Sequence, residues 1–285
     1  MQNITIPAYA KINLTLRVLG RRPDGYHEIS TIMQSIALKD TVSISKSDRG
    51  IQLEISGADL PSGPDNLAYR AAALLQHKYN FPGANISLVK KIPLAAGLAG
   101  GSADAAATLL GLNYLYNLGL NPGQLAREGA ALGSDVPFCV LGGTALGQGR
   151  GEALTLLPAP ARLWLVLVKP GFAVSTATVY KEWDVNPSWR TAAPPDEKAA
   201  LAALHTGEWQ QLLSTLGNEL ESITCRLYPE VAVIKARLRE AGARAVVMCG
   251  SGPTVFGVAA NETEAVQIAA RLKNSYPEVL VSHTL

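Results

Sequence analysis

Residues 93–104 read PLAAGLAGGSAD. Three glycines set among alanines bury little and cost much chain entropy to hold still, so a fold that keeps such a stretch uses it where side chains would be in the way. Its surroundings narrow that use. Upstream, Ile86 and Leu88 alternate as in a strand and run into Lys90 and Lys91. Downstream, ADAAATLLGLNYLYN is helical in composition and stops before Gly119 and Asn121-Pro122-Gly123. Between strand and helix, glycines let main-chain N–H groups point inward, and the helix adds unpaired N–H groups and a positive dipole end. This is an anion cradle suited to phosphates. Ser102 stands where an N-cap is expected, so its hydroxyl is placed to cap the helix or to meet a phosphate or its magnesium. Two familiar phosphate motifs are absent: no lysine precedes Ser102, and no G-x-G-x-x-G opens a first βαβ unit. On glycine content alone, a flexible loop with a capping serine explains the stretch as well.

The 285 residues suffice for two ordinary domains, and 48% hydrophobic against 17% charged residues can fill a sizeable core. A net charge of +2 argues against a protein that lives on phosphate contacts to nucleic acid. Cys139, Cys225 and Cys249 are widely spaced without a C-x-x-C, so neither a zinc site nor a disulfide framework is suggested and a reducing compartment is expected. The opening MQNITIPAYAKINL lacks a charged leader followed by an apolar block, and the run Leu163–Val168 suits a buried strand, not a membrane span. A soluble, cytoplasmic protein is expected.

Ile12, Leu14, Leu16 and Val18 alternate with Lys11, Asn13, Thr15 and Arg17, a half-buried strand. Pro23-Asp24-Gly25 marks a turn, and Val42, Ile44, Ile51, Leu53 and Ile55 continue the alternation. Helical spacing covers 67–79 behind Asn66, and a second short helix covers 124–132. ALTLLPAPA reads as a crossing between domains. Beyond it come strand 163–168, a Pro- and Ala-rich stretch at 184–199, helices at 197–216 and 229–241, strands 244–248 and 254–259, helix 262–274 and strand 278–283. Inserted helices aside, that order is β-α-β-β-α-β, the split ferredoxin-like pattern. The expectation is an α+β protein of two domains, 1–157 and 158–285.

PLAAGLAGGSADAAA, with the late CGSGPTVFG and the early AKINLTL, resembles the three-motif pattern of the GHMP kinase superfamily (galactose, homoserine, mevalonate and phosphomevalonate kinases). AYAKINLTLRVLGRRPDGYHEISTIMQSIALKDTVSI at 8–44, LGSDVPFCVLGG at 132–143 and NELE at 218–221 resemble one branch, which acts in non-mevalonate (methylerythritol phosphate) isoprenoid and terpenoid biosynthesis. Ala103 stands where the family often has a second serine. The resemblance implies an N-terminal domain like ribosomal protein S5 that binds ATP, a ferredoxin-like C-terminal domain on the substrate side, and γ-phosphoryl transfer from ATP to a tertiary hydroxyl of a CDP-linked methylerythritol. The alternatives are a kinase of this fold acting on another small alcohol, such as homoserine or a mevalonate derivative, and a nucleotide-binding sensor that lost catalysis.

By that resemblance Asp135 accepts the hydroxyl proton; read alone, it is a turn or N-cap aspartate. Lys11 and Asn13 share a strand face and are implied to face the substrate hydroxyl, where the lysine favours the alkoxide-like oxygen; read alone, Lys11 is a solvated strand lysine. The ATP site is expected over Lys91, Pro93, Leu94, Ala95, Ala96, Gly97, Leu98, Ala99, Gly100, Gly101 and Ser102, with Lys90 either attracting the triphosphate or ending a strand. Tyr26, His27 and Tyr180 are implied to hold the cytosine; their plain alternatives are half-buried tyrosines and a surface histidine. The amides of Gly250, Ser251 and Gly252 are implied to pack against the glycine loop and the substrate phosphates, or form only a turn. GQGRGE at 147–152 is read as a turn, and Asp104 as a helix-dipole partner, not a metal ligand. His77, His205 and His283 show no ligand spacing, so Mg2+ is expected to arrive with ATP. The expected partner is a small molecule, without nucleic acid or membrane, and the expected state a monomer or weak homodimer.

Overall fold

The computed structural model describes residues 3–191 and 193–285. Its strands are β1 (Asn3–Arg21), β2 (His27–Lys46), β3 (Gly50–Ser56), β4 (Gly83–Val89), β5 (Thr144–Gln148), β6 (Ala153–Leu157), β7 (Trp164–Lys169), β8 (Gly217–Asn218), β9 (Ala245–Met248), β10 (Val255–Ala259) and β11 (Glu278–His283). Its helices are α1 (Leu67–Tyr79), α2 (Gly100–Leu115), α3 (Pro122–Ala130), α4 (Val136–Leu141), α5 (Thr176–Val185), α6 (Glu197–Thr206), α7 (Trp209–Thr215), α8 (Glu221–Leu227), α9 (Pro229–Glu240) and α10 (Glu262–Leu272). The chain forms two compact units, one of Met1–Ala10, Leu38–Ile92 and Ala99–Gly142, the other of Lys11–Ala37, Pro93–Leu98 and Gly143–Leu285.

In the first unit β3 runs parallel to β4, and β4 antiparallel to the far end of β2 from Thr41↔Val89 to Lys46↔Ala84. Helix α2 is its centre. Its alanines and leucines are buried on most sides, and Gly111 lets it lie against the sheet, since a Cβ there would come within 2.6 Å of Ile44. Helix α1 starts as expected, with Asn66 Oδ1 accepting from the Ala68 N–H at 2.9 Å. Helix α3 begins earlier than read, because Asn121 and Gln124 close a capping box with Pro122 in the first turn. The six-residue α4 was not anticipated, because a short proline-containing segment carries no periodic signal.

The second unit holds an antiparallel sheet in the order β11-β7-β10-β9, the strand order that the β-α-β-β-α-β reading requires. Val166, Val168, Met248 and Val255 pack against Ile234 and Leu238 of α9 and Ile268 and Leu272 of α10. In the same unit β1 pairs with the two-residue β8 at Thr15↔Gly217, and β2 pairs with β5, which pairs with β6. Three expectations are corrected here. Residues 153–157 form a strand, not a crossing segment, because they pair with 144–148. The helix read over 197–216 breaks at Gly207, whose φ of 73° stops α6 before α7 begins. Finally, the Pro- and Ala-rich stretch is entered by α5, which Ser175 caps.

Candidate active site

The glycine stretch turns by residues in the left-handed region: Ala95 at φ 49°, Gly97 at 73° and Ala99 at 59°. Ala96 and Leu98 are buried and anchor it, while Leu94 and Ala95 are exposed. Gly97 is obligatory, since a Cβ there would sit 2.3 Å from the Cys249 carbonyl oxygen. Segments 93–98 and 249–252 thus lie main chain to main chain, and burial in that contact pushes the Cys249 thiol up to about 12. Ser102 is not the N-cap. The left-handed Ala99 takes that position and accepts the first helical bond from Ala103, so Ser102 lies inside the first turn. Ala99 has no side chain to cap with, and the amides of Gly100, Gly101 and Ser102 carry no side-chain cap. Positive φ, glycine and an uncapped helix start together fit a polyphosphate.

Lys11 is not the solvated lysine of an exposed strand face. It is 4% exposed, and Asn13 and Thr15 beside it are buried too, so this part of β1 is covered on both faces. Lys11 Nζ donates to Asn13 Oδ1 at 2.9 Å, the Gly250 N–H donates to the same oxygen at 3.0 Å, and Asn13 Nδ2 donates to Thr31 Oγ1 at 2.8 Å. The Lys11 N–H donates to the Leu98 carbonyl at 3.1 Å, tying β1 to the glycine stretch. Around Gly250–Gly252, Ser251 Oγ bonds Thr176 Oγ1 at 2.8 Å, and the Gly252 N–H donates to the Cys249 carbonyl. Asn218 of NELE donates to the carbonyls of Met248 and Gly250, and Glu221 accepts from the Met248 N–H, so this motif holds the 248–252 turn in place.

Asp135 occupies the N-cap position of α4, yet its side chain makes no capping hydrogen bond. The turn-aspartate reading therefore accounts for its position. The turn before it lies beside the glycine stretch's helix: a Cβ on Gly133 would be 3.9 Å from Ser102 Oγ.

His27 is 8% exposed at its side chain and stacks on Tyr180 with centroids 4.6 Å apart and planes 29° apart. Trp183 meets it edge-on at 5.8 Å, and His27 Nε2 lies 2.8 Å from Asp184 Oδ1. The plain reading of His27 as a surface histidine fails. Tyr26 is exposed at 56%, with the Arg150 guanidinium 4.7 Å over its ring. GQGRGE is the turn between β5 and β6, packed by the Gly149 carbonyl on the Ile29 N–H.

Lys90 follows the end of β4, as its plain reading has it, but its side chain is buried, paired with Asp40 and, at 2.6 Å, with Asp104, while Lys91 is exposed. Asp104, read as a dipole partner, is 3% exposed and bound to that lysine.

GHMP kinases N terminal domain matches residues 66–143, and GHMP kinases C terminal matches residues 199–278. A protein of Moorella thermoacetica named 4-diphosphocytidyl-2-C-methyl-D-erythritol kinase is 64% identical over 285 residues, the whole of both chains. One of Pelotomaculum thermopropionicum with the same name is 51% identical, covering 99% of this chain and 98% of its own. The chain belongs to the GHMP kinase family. A crystal structure of 4-(cytidine 5'-diphospho)-2C-methyl-D-erythritol kinase superposes at a TM-score of 0.84 with 36% identity and 99% of each chain covered. A homoserine kinase from Cytophaga hutchinsonii reaches 0.76 at 20% identity and so shares the fold. As a GHMP kinase the chain is an ATP-dependent kinase, and the readings of a sensor or of another alcohol are not favoured.

Among the described residues of this kinase, no three His, Cys, Asp or Glu side chains cluster to hold a metal, and no helix is long and apolar enough to cross a membrane. Sequence reasoning missed Asp184, Trp183 and Asp40. Tyr180, Trp183 and Asp184 stand at helical spacing, a signal readable only once α5 is recognised. Nothing local to Asp40 announces its partners fifty residues away.

Proposed function

We propose that the chain transfers the γ-phosphoryl group of ATP to the 2-hydroxyl of 4-diphosphocytidyl-2-C-methyl-D-erythritol, giving the 2-phosphate and ADP, in non-mevalonate isoprenoid precursor biosynthesis. The observation that carries it is the Gly133–Asp135 turn lying beside Ser102 at the uncapped start of α2, a carboxylate-bearing turn next to a phosphate cradle. The acceptor is supported by the shared name of the full-length relatives and by the His27–Tyr180 stack, an aromatic platform of use to a substrate carrying a base.

In this reading the amides from Gly97 to Ser102 hold the nucleotide's phosphates. Asp135 accepts the acceptor's hydroxyl proton as its oxygen attacks the γ-phosphorus and the bond to the β-phosphate oxygen breaks, releasing ADP. Lys11, held by Asn13, is the group the resemblance implies for stabilising the oxygen as it loses that proton. Mg2+, expected to arrive with the nucleotide, would when bound offset the charge of its phosphates. Asp184 accepts from His27 Nε2, which leaves Nδ1 to accept from the cytosine amino group, with Tyr26 and Tyr180 supplying ring faces. The amides of Gly250, Ser251 and Gly252 pack against the glycine loop and meet the substrate phosphates. By sequence, an ATP-binding domain of 1–157 and a substrate-side domain of 158–285 are the division proposed, with the compact units interleaved along the chain. The protein is cytoplasmic, a monomer or weak homodimer, and binds small molecules in preference to nucleic acid or membrane.

The test is ATP turnover against 4-diphosphocytidyl-2-C-methyl-D-erythritol, homoserine and mevalonate side by side. Turnover is expected with the first alone. Equal rates with homoserine would overturn the acceptor assignment.

A further inference from the structure

The chain entering the glycine loop and the helix leaving it are tied to a single buried cluster. Asp40, at the far part of β2 and wholly buried, accepts from the N–H groups of Lys91 and Ile92 with Oδ1 (2.8 Å for Ile92) and from Lys90 Nζ with Oδ2. Lys90 Nζ also donates to Asp104 Oδ2, one turn into α2. The two ends are in contact, since a Cβ on Gly100 would sit 3.1 Å from the Ile92 side chain and 3.4 Å from Lys90 Nζ. The cluster holds two carboxylates and one ammonium, and Asp104 Oδ1 is buried without a hydrogen-bond partner. A buried triad of net charge −1 with an orphaned oxygen is costly, and a proton on Asp104 removes the excess charge.

We propose that Asp40, Lys90 and Asp104 are positioning residues for ATP: they hold both ends of the glycine loop in register, and an extra negative charge on Asp104 weakens phosphate binding by the amides above it. This rests on the reading that the glycine loop binds ATP. Burial holds the Asp104 carboxyl well above the carboxylate range, up to about 7, with Lys90 opposing and Asp40 adding to the rise. Arg70, His77 and Lys78 of α1 and Arg127 of α3, on helices packed against α2, have exposed side chains, Glu128 pairs with Lys78, and Cys139 lies on α4. The charges acting most on Asp104 are therefore Lys90 and Asp40. A proton on Asp104 offsets the cluster's excess charge, and its loss as pH rises places a negative charge one turn into α2, close to the proposed phosphate site.

The experiment is the KM for ATP, with kcat, from pH 6 to 8.5 at saturating magnesium, for the wild type, Asp104→Asn, Asp40→Asn and Gly101→Asp. The wild-type KM is expected to rise roughly three- to tenfold across the range with kcat tracking separately. Asp104→Asn, fixed in the neutral state, keeps a low KM with the inflection gone. Asp40→Asn, which weakens the grip on the loop entrance, raises KM at every pH. An Asp104→Asn curve that still follows the wild-type inflection, or an Asp40→Asn enzyme with unchanged KM, overturns the proposal. Gly101→Asp places a charge in the cradle itself and is expected to raise KM throughout. Should it leave KM untouched, the loop is not the ATP site, and the inference falls together with that reading; should it raise KM while Asp104→Asn stays wild-type-like, only the inference falls.

Discussion

The glycine loop and the His27 platform are built from opposite materials. The loop offers main chain: its left-handed residues, the close approach of Gly97 to Cys249 and an α2 start with no capping side chain leave N–H groups as the working parts. The platform offers side chains: His27 comes from the start of β2, and Tyr180, Trp183 and Asp184 come from α5, about 150 residues later by the 157-residue separation of His27 and Asp184. In the proposed reading, main-chain recognition serves the nucleotide's phosphates, which all nucleotides share, and side-chain recognition serves the base of the acceptor.

The largest expected break involves neither region alone. Asp135→Asn keeps the size of the side chain and removes its ability to take a proton. A fall in kcat of roughly 10²–10⁴ is expected, with the dissociation constant for ATP nearly unchanged in a direct titration. Turnover like the wild type's would remove Asp135 from its role. Next comes the loop. Gly97→Ala puts a methyl group 2.3 Å from a backbone oxygen at a φ of 73°, so the loop has to shift. The KM for ATP is expected to rise by roughly five- to a hundredfold, with a much smaller change for the acceptor. A rise confined to the acceptor would assign the loop to the wrong substrate.

The same division explains what could be read from the sequence. The loop was legible because glycines are a local signal, and the helix at 67–79 because Asn66 and its periodicity are adjacent in sequence. The second sheet was legible because four short apolar runs lie in the order the β-α-β-β-α-β pattern needs. Ser102 was misplaced because a left-handed Ala99 takes over the N-cap, and alanine does not announce that conformation. Lys90 reads from sequence as a triphosphate partner or a strand end and Asp104 as a helix-dipole partner, because Asp40, the partner buried with them, stands fifty residues before Lys90. Asp184 stayed hidden because its meaning depends on His27. Side-chain sites assembled from distant segments leave no mark at any one position, so the platform's third and fourth members were found only in the fold.

The two KM values of Tyr180→Ala, measured in one assay, test the division between loop and platform most directly. Removing the ring that stacks on His27 is expected to raise the KM for the cytidylyl acceptor by about tenfold, as loss of a base-stacking surface does, while the KM for ATP stays within about twofold. A larger effect on ATP than on the acceptor would contradict the division between a main-chain phosphate cradle and a side-chain base platform.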